Sequence, residues 1–532
     1  MYKEKKLFWA LLFSVIHFII SLFSDNLFFD YMKDTDTIGL VMILTKALFF
    51  VILFLIYLTI LGIIENIKKG EFENVKGLIF IVSFVLNFVI LLLVWPGIWV
   101  DMSILEPAKH LQFQTWHHII SSFIDIYSAM LLPFASGVII VQIIIISIIV
   151  SYVVVEVNKL VQGSKKSLII IYLAFLSPSL FLYNQNNFRS VLYSYMTIFF
   201  IVLIYKFAIN IRLNRIELLY FILSGVLVCE WRNEGVVWLV SVVLLCLLLV
   251  IRNKVSSKVF MIPLLIIMCI MPFKIANSYY QKFDPRNYVL VSTLRQADVL
   301  VLNSNIEKDY EELEKINKCI NIKLMLDNPE HDGNWFFWYK YSDFIYNFSK
   351  TDFKEYLMSL VILSIKHPFP LLQERTELFS SSIGIIPKKQ KSIVDDTFKF
   401  DEDDKRINAQ NILLHNVGGY FVNPVNKEIR KSVIFFLSGR NSKGDVTCFS
   451  YFFTALDGIL AIFLLWFVSL LRKNIELFTI NSTFILQELI VFFTAPDPNF
   501  YYYLPFKICG RVELFVLIAY FALKFDKKKI VL

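Results

Sequence analysis

Residues 136–155 read SGVIIVQIIIISIIVSYVVV and contain no charged side chain. A helix of this length crosses a hydrocarbon core of about 30 Å, because an α-helix rises about 1.5 Å per residue. The rest of the chain has the same character: 57% of its 532 residues are hydrophobic, only 18% are charged, and the mean hydropathy is +0.63. This composition predicts an integral membrane protein and excludes an ordinary soluble enzyme.

Similar apolar runs recur along the chain, and each is long enough to predict a membrane-spanning helix. They predict an all-α polytopic membrane protein with about twelve transmembrane helices, since a span needs at least roughly 17 apolar residues. The expected spans lie near 7–24, 38–64, 78–95, 136–155, 167–183, 190–209, 216–231, 235–251, 259–275, 451–471, 475–494 and 507–524.

One long polar stretch divides these runs and sets the expected domain organisation. Residues 1–275 are expected to form a transmembrane bundle, in which the loop 96–135 carries the polar residues of most interest. Residues 276–450 are expected to form a mixed, mainly helical insert, which is long enough to hold a hydrophobic core of its own. Residues 451–532 are expected to return to the membrane as C-terminal helices.

Basic residues occur at every second junction between the expected spans, which predicts that these junctions and both termini are cytoplasmic. The loop 96–135 and the insert 276–450 then lie on the outer face. The insert carries 23 acidic and 23 basic side chains, so the net charge of +8 belongs to the membrane part. That distribution indicates contact with a lipid bilayer and no binding of nucleic acid.

The cysteines and the metal-ligand patterns are little help in assigning a function. Cys319 and Cys448 both fall in the insert, where a disulfide is allowed but not required. The sequence contains no CxxC or HExxH motif, which disfavours a structural zinc site.

The loop after the third expected span collects polar and aromatic residues directly beside the membrane. They are Asp101, Glu106, Trp116, His117 and His118. A carboxylate at the water face of a bilayer is costly to desolvate, so such a residue is more often functional than not. Other interpretations remain: Asp101 is also a favoured helix N-cap, and Trp116 also suits the interfacial aromatic belt.

Further candidates for substrate binding are charged residues that interrupt or border apolar runs. Arg232 and Glu234 break a continuous apolar stretch, and they either pair with each other across a tight turn or place Arg232 against a phosphate. Lys274 and Arg295 flank the end of the ninth expected span, where either a lipid headgroup or a substrate phosphate would suit them.

The order of these motifs resembles the polyprenyl-phosphate-sugar-dependent glycosyltransferases of the GT-C superfamily, and within it a poorly characterised bacterial branch. The residues that carry the resemblance are Pro96, Gly97, Asp101, Trp116, His117, Gly137 and Gln142. Weaker matches are the Arg232–Gly235 turn, the segment 292–298, the triplet Lys366, His367 and Pro368, the segment Tyr501–Pro505, and Arg511.

The resemblance implies an inverting enzyme that transfers a sugar from a polyprenyl-phosphate donor to an extracytoplasmic glycan or glycolipid. A cell-wall polysaccharide or a teichoic-acid-like polymer would be such an acceptor. Asp101 would act as general base with Glu106 as a second carboxylate, and the membrane would be the bacterial plasma membrane. No cofactor is certain, and a divalent cation, Mg or Mn, is an option.

Trp116, His117, His118, Lys366 and His367 are further candidates for contact with substrate, and His118 stands where relatives usually have proline. Two other functions remain open, a polymerase or ligase of lipid-linked oligosaccharides and a flippase for such lipids. A transporter would be expected to have repeated halves and charges within its spans. A ligase would place its functional residues in a late outer loop.

Overall fold

The computed structural model describes residues 2–25, 38–68, 74–98, 119–134, 136–209, 213–252, 255–280, 285–385, 424–441, 445–447 and 453–530. The structure is 82% helical, and these residues contain no β-strand. The expected all-α class is therefore confirmed.

The first part of the chain is a series of helices, most of them long and apolar. They are α1 Tyr2–Ser21, α2 Ile38–Lys68, α3 Asn74–Leu93, α4 Ile119–Leu131, α5 Gly137–Leu160, α6 Lys165–Leu173, α7 Pro178–Asn184, α8 Arg189–Ala208, α9 Arg215–Trp231, α10 Val237–Ile251 and α11 Met261–Tyr280.

The middle part contains shorter helices, and the last part returns to long ones. The middle helices are α12 Pro285–Asn303, α13 Tyr310–Asn317, α14 Ile322–Asp327, α15 Gly333–Tyr339, α16 Tyr341–Phe344, α17 Lys350–Lys366, α18 Pro368–Ser382 and α19 Lys427–Leu437. The last are α20 Leu456–Leu471, α21 Ile475–Thr494 and α22 Leu504–Ile530.

Within the described residues, seven helices are long and apolar enough to cross a membrane. They are Met42–Glu65, Val75–Leu93, Gly137–Leu160, Arg189–Ala208, Asn233–Ile251, Ser257–Ala276 and Ile475–Thr494, and each coincides with an expected span. The helices α6 and α7 form an eighth span if they are counted together, although they are bent by 66° at the break between them.

The expected count of about twelve spans is therefore not confirmed. The remaining expected runs do form helices, namely α1, α9, α20 and α22. Of these, α9 has 17 residues and α20 has 16, which is short for a hydrocarbon core about 30 Å thick. Both α1 and α22 are longer, but charged residues occupy the first turn of α1 and both ends of α22.

The interior of the bundle is built around α8 and α5. The buried share of the most apolar stretch of each helix is 78% in α8 and 72% in α5, but only 11% in α2. Apolar side chains on α2 therefore point away from the protein, as expected for a helix that faces lipid. Residues at the start of α8, such as Ser190 and Val191, are buried among neighbouring elements. The sequence of α8 alone does not predict this burial.

The helices α12–α18 share a second hydrophobic core, separate from that of the bundle. Its members include Leu294, Ile316, Phe336, Tyr356 and Leu363. Cys319 lies in this core as a free, buried thiol, and Cys448 lies outside the described residues. We call α12–α18 the insert layer.

The insert layer rests on one end of the bundle, which we call the insert side. The ring of Phe379 in α18 packs on Phe492 of α21 and on Tyr503, with ring centroids 5.7 and 5.3 Å apart. Arg375 donates a hydrogen bond to the carbonyl of Ala495 at 3.0 Å, and Asn334 donates one to Pro496 at 2.6 Å. These contacts fix the insert layer directly above the start of α22.

The short helix α4 connects two distant parts of the bundle. At its beginning, Ile120 packs in a cluster with Cys229 of α9 and Ile270 of α11. At its end, the carbonyl oxygen of Leu131 lies 2.9 Å from Nε2 of His17 in α1. The helix α4 therefore begins beside the end of α9.

Candidate functional site

The segment that leads out of α3 is held firmly up to Ile98. Gly97 adopts a φ of 114°, which a residue with a side chain rarely adopts. The N–H of Ile98 donates to the carbonyl of Gln185 at 2.8 Å, and the amide of Asn186 donates to the carbonyl of Ile98 at 2.5 Å. Arg430 donates to the carbonyl of Gly97 at 3.0 Å. The chain is therefore fixed three residues before Asp101.

Gln142 and Ser136 also form hydrogen bonds with this part of the chain. Gln142 of α5 donates its amide hydrogens to the carbonyls of Asn184 and Asn186, at 3.0 and 2.9 Å. Ser136, which precedes α5, donates to the carbonyl of Pro96 at 2.8 Å. Pro96, Gly97 and Gln142, which the sequence analysis grouped by order alone, thus meet at the turn between α7 and α8, residues 184–189.

Buried side-chain amides in and beside the 184–189 turn use only part of their hydrogen-bonding capacity within the described residues. We call Asn87, Gln142, Asn184, Gln185 and Asn186 the amide cluster, and Asn184 donates to Asn87 at 2.9 Å within it. Among the described residues, no hydrogen bond reaches Oε1 of Gln142 or Gln185, Oδ1 of Asn184 or Asn186, or Nδ2 of Asn187. Buried polar groups are normally satisfied, so the unpaired atoms of this cluster are available for hydrogen bonds with water or a ligand.

Arg232 lies among aromatic rings that connect it to this turn. It follows the last residue of α9 in an extended conformation, and its guanidinium group forms an ion pair with Glu234. The guanidinium also lies over the rings of Tyr193 and Tyr502, 5.5 and 5.6 Å from their centroids. Gln487 donates to the hydroxyl of Tyr193 at 2.9 Å and so fixes that ring. The structure therefore contains the Arg232–Glu234 pair that the sequence offered as one interpretation.

Lys274 lies beside the end of α9, where it carries a paired charge. Its ammonium group lies 3.0 Å from Glu230, whose side chain is 1% exposed. Since Glu230 precedes Arg232 by two residues, two ion pairs lie close together at the end of α9, Glu230 with Lys274 and Arg232 with Glu234. Lys274 is half exposed, so it can also reach a solvent-borne group.

Two tyrosines connect Arg232 to the 184–189 turn. The rings of Tyr501 and Tyr502 have centroids 4.4 Å apart, and the ring of Phe188 lies 5.1 Å from that of Tyr501. Burial raises the pKa of Tyr501 to about 12 against the opposing charges of Arg232 and Arg189, so its hydroxyl is protonated at neutral pH. It donates to the hydroxyl of Tyr502 at 3.1 Å.

Arg189, the first residue of α8, is a cation that the sequence analysis did not single out. Among the described residues it has no hydrogen bond and no ion pair, although its charge acts on Tyr501. The side-chain amide of Asn187 and the hydroxyl of Ser190, 5% and 1% exposed, are likewise without partners. One signal was available in the sequence: a lone arginine opens an otherwise apolar span.

Arg295 belongs to a different cluster, at the base of the insert layer. It lies 2.7 Å from Asp332 and 3.4 Å from Glu374, so two carboxylates already match its charge. Asp298, one turn further along α12, is buried, and no described residue forms a hydrogen bond with its Oδ1. Burial and the neighbouring charge of Asp332 raise the pKa of Asp298 to about 7, against the influence of Arg295.

Lys366 and His367 converge on Asp309, inside the insert layer. Lys366 lies 3.1 Å from Asp309 and 3.1 Å from Glu312, and Nε2 of His367 lies 2.9 Å from Asp309. Burial favours a higher pKa for Asp309, but the hydrogen bonds from His367 and Lys366 outweigh it and hold the pKa below its usual value. These two residues thus join α13 to the junction of α17 and α18.

Five of the predicted site residues, Asp101, Glu106, Trp116, His117 and His118, lie outside the described residues. The structure fixes what precedes and follows them. Ile98 is bound to the 184–189 turn, and Ile120 packs beside the end of α9. Both ends of the segment that carries Asp101 are therefore at the insert side of the bundle.

The described residues contain no group of three or more His, Cys, Asp or Glu side chains that could hold a metal ion. Comparison with known proteins adds no assignment: no family model, no curated protein and no solved structure matches this chain.

Proposed function

We propose that this chain is a membrane glycosyltransferase that transfers a sugar, with inversion, from a polyprenyl-phosphate donor to a glycan or glycolipid acceptor. One observation carries the proposal most directly. The 184–189 turn contacts Ile98, three residues before Asp101, and also contacts the Tyr501–Tyr502 pair that packs on Arg232. Ile98, which precedes Asp101 by three residues, and the tyrosine pair beside the buried Arg232 thus both contact this turn.

In this proposal Asp101 accepts the proton of the acceptor hydroxyl. The acceptor oxygen forms a bond to the anomeric carbon while the bond from that carbon to the phosphate oxygen breaks, and the polyprenyl phosphate leaves with the electron pair. A chain of three residues spans at most about 11 Å, so Asp101 is tied to the neighbourhood of Ile98. General base catalysis of this kind contributes roughly 10²–10⁴-fold in rate.

Arg232 is the residue that we assign to the leaving phosphate. Its guanidinium is 6% exposed, and a charge in such a setting acts more strongly than one in water. Glu234 offsets part of that charge and holds the group in place, so the site is preorganised before the phosphate gains negative charge. The rings of Tyr501 and Tyr502 offer apolar faces and a hydroxyl to a sugar.

The architecture fits a lipid-linked donor. The isoprenoid chain would stay in the bilayer beside lipid-facing helices such as α2, while the sugar reaches the insert side. We propose that this side is the outer face of the bacterial plasma membrane, that both termini are cytoplasmic, and that the chain crosses the membrane about twelve times, as in the GT-C superfamily that its motifs resemble.

A flippase for lipid-linked sugars is the second candidate, and a specific observation favours it. Glu488 in α21 and Glu513 in α22 each have a buried carboxylate oxygen without a hydrogen-bond partner among the described residues. Ionisable groups inside membrane helices often mark transport pathways. A polymerase or ligase of lipid-linked oligosaccharides remains a related alternative.

The test is reconstitution of the purified protein in proteoliposomes with a panel of radiolabelled polyprenyl-phosphate sugars and membrane glycolipid acceptors. The proposal predicts a labelled product whose anomeric configuration is opposite to that of the donor. Movement of intact donor across the bilayer without any new glycosidic bond would identify a flippase and contradict the proposal. Proteoliposomes with heat-denatured protein are the control.

A further inference from the structure

The start of α8 has the general features of an anion-binding site. The first N–H groups of a helix have no intrahelical acceptor, and the helix dipole places positive charge there. In α8 the N-cap residue is Phe188, whose side chain offers no hydrogen bond to these groups. Arg189 then adds a full positive charge that no described residue neutralises.

A second, independent observation points to a ligand at this place. The side-chain amide Nδ2 of Asn187 and the hydroxyl of Ser190 are buried, and neither has a hydrogen-bond partner among the described residues. They lie on either side of Arg189 in the chain. An unsatisfied buried donor costs roughly 1–3 kcal/mol, so two such donors around a lone guanidinium favour a bound acceptor of hydrogen bonds.

The chain itself offers a comparison at the start of α9, which also begins with an arginine. Arg215 is exposed, and the preceding Asn214 accepts hydrogen bonds from the N–H groups of Ile216 and Glu217, at 3.0 and 2.9 Å. Glu217 completes a capping box. Thus two helices start with the same residue type, and only the start of α8 is left without a cap.

The site at α8 is distinct from the one at Arg232. Arg232 is paired with Glu234 and lies over the ring of Tyr502, whereas Arg189 follows Phe188, whose ring packs on Tyr501. The guanidinium of Arg232 therefore lies over the ring of Tyr502, whereas the charge of Arg189 acts on Tyr501. If Arg232 receives the donor phosphate, Arg189 remains available for a second negatively charged group.

We propose that Asn187, Arg189 and Ser190 bind a phosphate group of the acceptor, so the acceptor is a phosphate-bearing glycan or glycolipid. A phosphate suits the site because it accepts hydrogen bonds from a guanidinium, an amide, a hydroxyl and helix N–H groups at once. The inference rests on the proposed function for its assignment to the acceptor. The anion site itself stands on the geometry of α8.

Binding is tested first, without any need for sugar transfer. The full-length protein in detergent is titrated with inorganic phosphate and with glycerol phosphate, and the shift in unfolding temperature gives the apparent affinity. We expect Arg189→Gln to weaken binding by at least about tenfold, because a charge-assisted hydrogen bond is lost. Arg215→Gln, at the capped start of α9, is the matched control and is expected to bind as the wild type does.

Arg189 has no described partner, so its removal leaves no buried charge unpaired and Arg189→Gln is expected to fold. Arg189→Lys, which keeps the charge but not the planar fork, is expected to give an intermediate affinity. Absence of phosphate binding by the wild type, or equal binding by Arg189→Gln, would overturn the site.

The source of the phosphate is decided by two further arms. In nanodiscs of phosphatidylcholine, Arg189→Gln is expected to raise the KM for a phosphate-bearing acceptor at least about tenfold and to leave the donor KM unchanged. A raised donor KM would overturn the assignment to the acceptor. If added phosphate no longer raises the unfolding temperature when the protein is in phosphatidylglycerol nanodiscs, a lipid headgroup occupies the site instead. Positive phosphate binding without any transfer contradicts the proposed function but retains the site.

Discussion

The two ends of α8 carry one cation each, and their surroundings differ completely. Lys206, near the end of the helix, is 7% exposed and lies 2.8 Å from Glu156 of α5, and it also pairs with Glu217 of α9. Lys159 and Lys76 approach Glu156 as well, at 3.1 and 3.4 Å. Arg189, at the start of the same helix, has no ion pair with any described residue.

The difference indicates which end of the bundle is structural. At Lys206 each described charged group lies beside a group of opposite charge, and these ion pairs connect α5, α8 and α9. At Arg189 the guanidinium has no ion pair with a described residue, and the buried Nδ2 of Asn187 and hydroxyl of Ser190 have no hydrogen-bond partner among the described residues. Since buried polar groups are normally satisfied, these unpaired groups support the proposal that the insert side binds a ligand.

Breaking the matched end is expected to have the largest effect on stability. Lys206→Met leaves Glu156 and Glu217 facing each other without their shared cation, which typically destabilises a protein by about 3–5 kcal/mol. Thermal unfolding in detergent measures this loss. Lys159→Met is the control, since Lys159 is half exposed and its removal should cost less than about 1 kcal/mol. Equal stability of the two variants would contradict the comparison.

At the other end, Arg232→Gln is expected to reduce sugar transfer about 10²–10³-fold, the usual effect of removing one donor to a developing charge. Initial rates per folded molecule measure this, and the amount of folded protein is determined by gel filtration. Arg232→Lys keeps a positive charge and is expected to recover part of the rate. Unchanged transfer by Arg232→Gln would remove Arg232 from the phosphate site.

Asp298 is expected to make stability depend on pH. Its folded-state pKa of about 7 lies above its ordinary value, so the neutral acid is favoured in the folded protein. Stability from this group is fully present near pH 4 and is lost as the pH rises through 7, by at most a few kcal/mol. Asp298→Asn should therefore match the wild type near pH 4 and unfold at a higher temperature at pH 8. An unchanged difference between the two across this range would contradict the assignment.

The smallest effect is expected at Lys366, which is 40% exposed and paired with Asp309 and Glu312. Lys366→Ala should cost about 1 kcal/mol or less, because exposed ion pairs contribute little. If this cluster only holds α13 to α17, the KM values for donor and acceptor stay as in the wild type. A clear rise in either KM would instead support the role in substrate binding that the sequence suggested.

Apolar runs in the sequence predict many of the long helices. Where a predicted span is not a single straight helix, a particular residue explains the difference. The run 136–155 predicts α5 well, because no competing signal interrupts it. The run 167–183 does not form one straight span, since Pro178 begins a new helix after a break and the two halves are bent by 66°. Proline is favoured at that first position because it lacks an N–H donor.

The candidate site was predictable only where partners are close in sequence. Arg232 and Glu234 are two residues apart, so their pairing could be anticipated. The partners of Lys206 come from two other helices, and the lack of a partner for Arg189 depends on every element packed around it. A single sequence does not contain that information, so it neither singles out Arg189 nor reveals the two carboxylates, Asp332 and Glu374, that pair with Arg295.

The central claim is that the insert side carries out glycosyl transfer with Asp101 as the base, and one rate measures it most directly. We predict that Asp101→Asn unfolds at the same temperature as the wild type and loses sugar transfer from the polyprenyl-phosphate donor by at least about 100-fold at saturating substrates. A folded Asp101→Asn protein that transfers sugar at the wild-type rate would contradict the account.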